Sequence, residues 1–304
     1  MHTLYHFATD YQREHFLKPL LEGTARSCFS MTEPDVAGSD PTLIQTSAVE
    51  EGDEWVINGH KWFTSGAEGA DFAIVIARTD PDAEIPQARN SAFIVPTNTP
   101  GFEIIRDVET MGGRHNHPEI KYTDVRVPKT HLLGERGGGH KLGQVRLGPA
   151  RLAHCMRWLG QIEMALEMLV DRAQKRFAHG SYLSEKQSIQ WMMSDSAMEL
   201  YAAKLMVLHA AYKIEQGLEF KQEVSMAKHH VANTLWRVID RAMQVHGALG
   251  YSTDTPLAGM MQQARWARLA DGADEVHQMR IAELLMRAYN EDGSINQAVG
   301  GLPL

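Results

Sequence analysis

Four segments of the sequence carry residue types suited to chemistry. The run Ser30-Met31-Thr32-Glu33-Pro34-Asp35-Val36-Ala37-Gly38-Ser39-Asp40 places hydroxyls and a glycine in one loop, where backbone amides could cradle an anion. A capped turn explains the same composition. Trp62-Phe63-Thr64-Ser65-Gly66 sets an indole beside a hydroxyl at a strand end, a pairing suited to a flat heteroaromatic ligand, although such a tryptophan can equally be core. Gln244-Val245-His246-Gly247-Ala248-Leu249-Gly250-Tyr251 follows a helical stripe with glycines that could simply end it. It is no dinucleotide fingerprint, because no strand precedes it and the glycine spacing is wrong. Ala270-Asp271-Gly272-Ala273-Asp274-Glu275-Val276-His277 gathers three carboxylates where a last helix begins, and capping or macrodipole compensation accounts for acids there. A metal site from Asp271, Glu275 and His277 would want a second cluster with ligand spacing, which the sequence lacks.

Elements of two kinds must position these segments. Tyr11 to Leu21 is amphipathic, with Phe16, Leu17, Leu20 and Leu21 at helical spacing before Gly23 ends it. From about 28 to 130 the texture changes to short β-branched and aromatic runs: Trp55 to Ile57, Trp62 to Thr64, Phe72 to Ala77, Ala92 to Val95, Phe102 to Ile105 and Ile120 to Val127. Asn58-Gly59 predicts a type I′ hairpin turn between the first two, and Pro81 to Asn90 reads as a surface loop. After Gly137-Gly138-Gly139 helical periodicity takes over, with stripes at Ile162, Ala165, Leu166 and Leu169, at Met192, Leu200, Ala203 and Val207, and at Val231, Leu235, Val238 and Ala242. A fourth stripe, Val276, Ile281, Leu284 and Leu285, runs from about Asp274 to Arg287. With connections near 180, 218 and 252 to 272, these helices describe an antiparallel bundle. The fold class read from the sequence is α+β: an antiparallel β-barrel or sandwich domain followed by an antiparallel four-helix bundle.

Composition narrows the function. The chain has 304 residues, enough for two packed domains. Its 43% hydrophobic and 22% charged content is that of a globular protein, which argues against disorder and coiled coil. A net charge of −8 disfavours a nucleic-acid surface. Cys28 and Cys155 are the only cysteines, so neither a disulfide framework nor a thiolate zinc site is expected. No stretch approaches the roughly 18 apolar residues needed to span a bilayer. The N-terminus lacks a signal pattern, and Gly301-Leu302-Pro303-Leu304 matches no retention or peroxisomal tail.

Taken in order, the four segments resemble a known family, the flavin-dependent acyl-CoA dehydrogenases. Thr32 to Asp40 is similar to its Thr-Glu-Pro-Asp-x-x-Gly-Ser-Asp loop and Val56 to Trp62 to its Val-Ile-Asn-Gly-x-Lys-Trp strand. The resemblance continues through Asp124-Val125-Arg126-Val127-Pro128 and Leu133-Gly134-Glu135 to the Gln244 to Gly250 and Asp271 regions, from about residue 11 to residue 289. Leu147-Gly148-Pro149-Ala150-Arg151 with His154-Cys155-Met156-Arg157, and Leu269-Ala270-Asp271-Gly272 with Asp274-Glu275-Val276-His277, look like the branch of family members ten and eleven and their bacterial relatives.

The resemblance implies α,β-dehydrogenation of a fatty acyl-CoA to the trans-2-enoyl-CoA, with FAD as cofactor and an electron-transferring flavoprotein as acceptor. It divides the chain into a remnant of an N-terminal helical domain (1–27), a β-domain binding flavin and acyl-CoA (28–136) and a helical bundle (137–304). Family members carry further helices before the segment matching Tyr11, so a truncated or non-catalytic partner subunit is an alternative reading, and an acyl-CoA oxidase is another. By similarity, Asp271 is the base, one methylene shorter than the family's glutamate, so the backbone must lie closer to the substrate. Met31, Thr32 and Ser39 would surround the flavin ring and pyrophosphate, and Trp62 and Thr64 its isoalloxazine edge. Arg176 would reach across a dimer to the pyrophosphate, with Gln244 and Gly247 near the partner subunit's adenosine portion, which calls for a homodimer or a dimer of dimers. His179, Ala248 and Ala273 depart from the family's Phe, Gly and hydroxyl residue. Ser39 and Arg151 fall on the substrate side, and no metal is implied. The expected location is the cytoplasm of a bacterium, or a mitochondrion or peroxisome in a eukaryote.

Overall fold

The computed structural model describes residues Met1–Val299; the tail Gly300 to Leu304 lies outside the described residues. The chain forms two compact units, Met1–Leu147 and Gly148–Leu304. The divide falls inside the long helix that follows the glycine run, beyond Gly137.

The first unit opens with short helices, α1 (His2–Phe7), α2 (Asp10–Gln12), a π-turn (Arg13–Leu17) and α3 (Lys18–Glu22). Gly23 ends the run in the left-handed conformation, φ 73°, as a glycine can. Leu17 is buried and Phe16 and Leu20 pack beside it, whereas Leu21, expected on the same stripe, is exposed. The buried Gln12 amide ties this run to the sheet, donating to the carbonyls of Thr130 and Leu132 at 2.7 and 2.8 Å.

Eight strands follow: β1 (Ser27–Ser30), β2 (Ser47–Glu51), β3 (Glu54–Lys61), β4 (Phe72–Arg78), β5 (Asn90–Pro96), β6 (Phe102–Asp107), β7 (Pro118–Pro128) and β8 (Leu132–Leu133). They form one sheet in the order β6-β7-β3-β2-β4-β5-β8, with β1 paired to β4. The all-antiparallel expectation is corrected here, because β4 pairs in parallel with both β1 and β2. The reason is visible in β4 itself. Phe72, Ile74 and Ile76 enter one apolar cluster with the N-terminal helices, and Ala73, Val75 and Ala77 enter another with Trp55, Phe93 and Tyr122. A strand covered on both faces reads as an unbroken apolar run and carries no signal of strand direction.

The expected turn at Asn58-Gly59 is also corrected. Strand β3 runs straight through both residues, and the tight turn lies at Gly52-Asp53 between β2 and β3, with Gly52 at φ 60°. Asn58 instead locks a bulge against β7, accepting from the Asp124 amide at 2.8 Å and donating to the Asp124 carboxylate at 3.1 Å. Gly59 is needed for close approach, since a Cβ there would overlap the Thr46 hydroxyl.

The second unit contains the greater part of α4 (Gly139–Lys175), a small hairpin of β9 (Phe177–Ala178) and β10 (Ser181–Tyr182), and then α5 (Gln187–Glu215) and α6 (Lys221–His246). Short α7 (Ala248–Tyr251), α8 (Leu257–Ala267) and α9 (Asp274–Asp292) complete it. The stripes read on the first three long helices meet in one core around Ile162, Ala165, Leu169, Ala203, Val207, Val231, Leu235 and Val238. The stretch read as a connection, 252 to 272, carries α8, which buries Leu257, Met260, Ala264 and Ala267. On α9 the stripe of Val276, Ile281, Leu284 and Leu285 is only half-buried. Pro149 sits inside α4, where it removes one helical N–H. No helix among the described residues is long and apolar enough to cross a membrane.

One buried ion pair ties the first unit's loop to its sheet. Lys61 donates to Glu33 at 2.9 Å and to the Met31 carbonyl at 2.7 Å, while Glu33 also accepts the amides of Gln45 and Thr46 at 2.7 and 2.8 Å. Burial pushes the Glu33 carboxyl up, but Lys61, Thr46 and the Gln45 amide together hold it below the usual carboxylate range. Lys61→Met would strand that carboxylate without its cation. It is expected to cost about 3–5 kcal/mol in thermal or urea unfolding, with part recovered in the Lys61→Met, Glu33→Gln double variant.

Candidate active site

The loop between α8 and α9 carries the carboxylate singled out in the sequence. Its ends are tied together twice. The Asp274 amide donates to the Arg268 carbonyl at 3.1 Å, and Arg268 Nε donates to Asp274 Oδ2 at 2.6 Å. Asp274 therefore does not cap α9: the N-cap is Ala273, without a side-chain bond, and the buried Asp274 carboxylate also accepts Asn233 Nδ2 at 3.1 Å.

Inside this loop Asp271 and Gly272 turn the backbone into the left-handed region, at φ 52° and 107°. Successive carbonyls at such a corner cannot enter a helical ladder, and two cations take them up. Arg151 Nε of α4 donates to the Asp271 carbonyl at 2.7 Å, and Lys228 Nζ of α6 donates to the Gly272 carbonyl at 2.6 Å. Lys228 is fully buried, and burial pulls its ammonium down to about 8 against the opposing pull of Asp274, Cys155 and Asp271. The Asp271 carboxylate faces α4, where Oδ2 lies 3.1 Å from His154 Nε2. Both side chains remain about one-fifth exposed (20%), so the carboxylate is held without being sealed. His277 backs the corner from α9. A Cβ at Gly272 would meet His277 Nε2 at 2.8 Å, so both the backbone angle and the ring require glycine there. Glu275 points outward and is exposed. Among the described residues no His, Cys, Asp and Glu group has the arrangement of a metal site.

Sequence reasoning reached Asp271 and Arg151, which the fold brings together, weighed His277 only as a metal ligand, and gave His154 and Lys228 no role. A signal for His154 was present: Arg151, His154 and Arg157 recur every three residues and so share one helical ridge. Lys228 offered none, since a lysine on a helix reads as solvated surface.

Of the residues that the resemblance assigns to the cofactor, Met31, Thr32, Ser39, Trp62 and Thr64 lie in the first unit and Arg176, Gln244 and Gly247 in the second. Trp62 leaves β3 paired to Thr32 by two bonds: its amide donates to the Thr32 carbonyl at 3.1 Å, and its carbonyl accepts the Thr32 hydroxyl at 2.9 Å. The indole is half-buried, edge-on to Phe63, whose φ of 48° re-aims the chain as the strand ends. Thr64 is buried, its hydroxyl within 3.2 Å of Ser30 Oγ, which accepts the Tyr122 hydroxyl at 2.9 Å. Met31 is half-buried and Ser39 exposed beside Gly38, which rests against Thr32. An indole fixed through its backbone, a thioether and an exposed hydroxyl are the donor and stacking set that a flavin takes. Arg176 is exposed just past α4; Gln244 is exposed in the last turn of α6, which Gly247 ends at φ 64°.

Comparison with known proteins agrees with this reading of the fold. Residues 28–125 match the acyl-CoA dehydrogenase middle domain and residues 137–286 the acyl-CoA dehydrogenase C-terminal domain. A protein of Mycobacterium tuberculosis, "Probable acyl-CoA dehydrogenase FadE2", is 46% identical over 93% of this chain, which spans 70% of its length. Human acyl-CoA dehydrogenase family member 11 is 39% identical over 94% of this chain, which spans 38% of its length. The solved butyryl-CoA dehydrogenase from Megasphaera elsdenii superposes with a TM-score of 0.86 at 34% identity, over 94% of this chain and 74% of that one. The chain belongs to the acyl-CoA dehydrogenase family. The cofactor of this family of oxidoreductases is FAD.

His277 gives the loop a pH signature. Burial, then the charges of Lys228 and Arg151, hold its imidazole down to about 4 from an ordinary value of 6.5. Between those values the unfolded chain binds more protons than the folded one. This contribution to stability is therefore complete above 6.5 and is lost as pH falls towards about 4. His277→Leu is expected to flatten the fall of the urea midpoint across that window; a fall as steep as in the unaltered protein would contradict the assignment.

Proposed function

We propose that the chain catalyses FAD-dependent α,β-dehydrogenation of a fatty acyl-CoA to the trans-2-enoyl-CoA, with Asp271 as the base that takes the α-proton. One observation carries the reading: the Asp271 carboxylate stands at a left-handed corner whose two carbonyls are each bound by a cation, Arg151 and the buried Lys228. A proton-transfer group contributes through position before basicity, and a displacement near 1 Å can cost about 10² in rate. An ionised carboxylate has about four lone-pair sites, so the His154 ring nitrogen at 3.1 Å still leaves it able to accept a proton.

FAD, when bound, supplies the two-electron acceptor for the hydride that leaves the β-carbon. The remaining work belongs to the chain. Trp62, Met31, Thr32 and Ser39 hold and orient the flavin, and Thr64 steadies that corner through its bond to Ser30. Arg176, Gln244 and Gly247 serve the cofactor of a partner subunit in a homodimer or dimer of dimers. Arg151 acts on the substrate side by fixing the Asp271 backbone, and Ser39 by its exposed hydroxyl. An electron-transferring flavoprotein takes the electrons onward.

The purified protein is expected to show flavin absorbance that bleaches with butyryl-, octanoyl- or palmitoyl-CoA. Asp271→Asn should retain the flavin and slow bleaching by about 10²–10⁴. An unchanged bleaching rate in that variant removes Asp271 from the reaction. Rapid peroxide release on substrate addition would assign an oxidase instead.

A further inference from the structure

His154 stands on α4 between Arg151 and Arg157, one helical turn from each. Arg157 NH2 lies 2.7 Å from His154 Nδ1, and a guanidinium can only donate, so Nδ1 must present its lone pair. In the neutral ring the hydrogen then sits on Nε2, the atom 3.1 Å from Asp271 Oδ2. The ring plane is fixed as well: it stacks on the buried Trp158 at 5.3 Å and 27°, with Trp266 edge-on at 5.3 Å. An imidazole whose tautomer is set from one side and whose plane is set from two others is a directed donor.

Resting on the reading of Asp271 as the base, we propose that His154 is its positioning residue: an Nε2–H donor, set by Arg157, that aims the Asp271 carboxylate. The charged groups around the pair also fix the loop itself. Arg151 holds the Asp271 carbonyl, Lys228 holds the Gly272 carbonyl, Asp274 is spent on Arg268 and Asn233, and His277 backs Gly272. Loss of the His154 contact, 3.1 Å from the carboxylate, therefore changes the basicity of Asp271 while the loop backbone stays pinned.

Two measurements on the full chain test this. Long-range nitrogen–proton NMR of the imidazoles, with His154 assigned by the absence of its signals in His154→Gln, should show the Nε2–H tautomer at neutral pH, and Asp271→Asn should move those signals. An Nδ1–H tautomer, or signals indifferent to Asp271→Asn, would overturn the proposal. The second measurement is the pH profile of kcat/KM with a dye acceptor. His154→Ala and His154→Asn should raise the acid limb by about one pH unit with KM little changed. His154→Gln, whose amide N–H falls where Nε2–H lies, should restore it. A wild-type profile in His154→Ala beside an inactive Asp271→Asn sinks the role of His154 alone; an active Asp271→Asn sinks the base assignment beneath it.

Discussion

The structure depends on how main-chain carbonyls are satisfied where the chain must turn the wrong way. A left-handed corner at a non-glycine residue costs on the order of 1–2 kcal/mol and directs its carbonyls away from any helical partner. At Asp271-Gly272 both carbonyls are answered by cations from two different helices, Arg151 and Lys228. A buried carbonyl without a donor would itself cost about 1–3 kcal/mol. The corner therefore persists because the helices on both sides supply what the loop cannot.

The same device recurs in the other unit. Lys61, also fully buried, donates to the Met31 carbonyl, and Lys228 donates to that of Gly272. In each case the lysine sits on a regular element and the carbonyl on a loop that carries candidate site residues. Burial pulls both ammonium groups down to about 8, and both face a carboxylate that opposes the pull, Glu33 in one unit and Asp274 in the other. A loop held this way is pinned at the backbone while the side chains beside those carbonyls, Met31 and Asp271, stay partly exposed.

Much of this was legible in the sequence. Apolar stripes on three long helices became the core, because a 3.6-residue period survives any arrangement of neighbours. Strand direction was not legible: β4 is apolar on both faces, and an unbroken run gives no hint of parallel partners. Asn58-Gly59 misled because the two residues that suit a tight turn also suit a bulge with close backbone approach. Motif order located Asp271 and Trp62 but said nothing of Glu33 with Lys61, or of His154. Those roles are pairings between distant residues, and a pairing has no local signature unless both partners share a helix face.

The left-handed angle at Asp271 gives the identity of the acid a second meaning. Short polar side chains such as aspartate tolerate that backbone region far better than longer ones, because they can bond locally to the chain. Acid length and loop handedness are thus linked at this position. A glutamate placed at this angle would carry a longer chain into a strained corner, so reach and backbone handedness cannot be varied independently here.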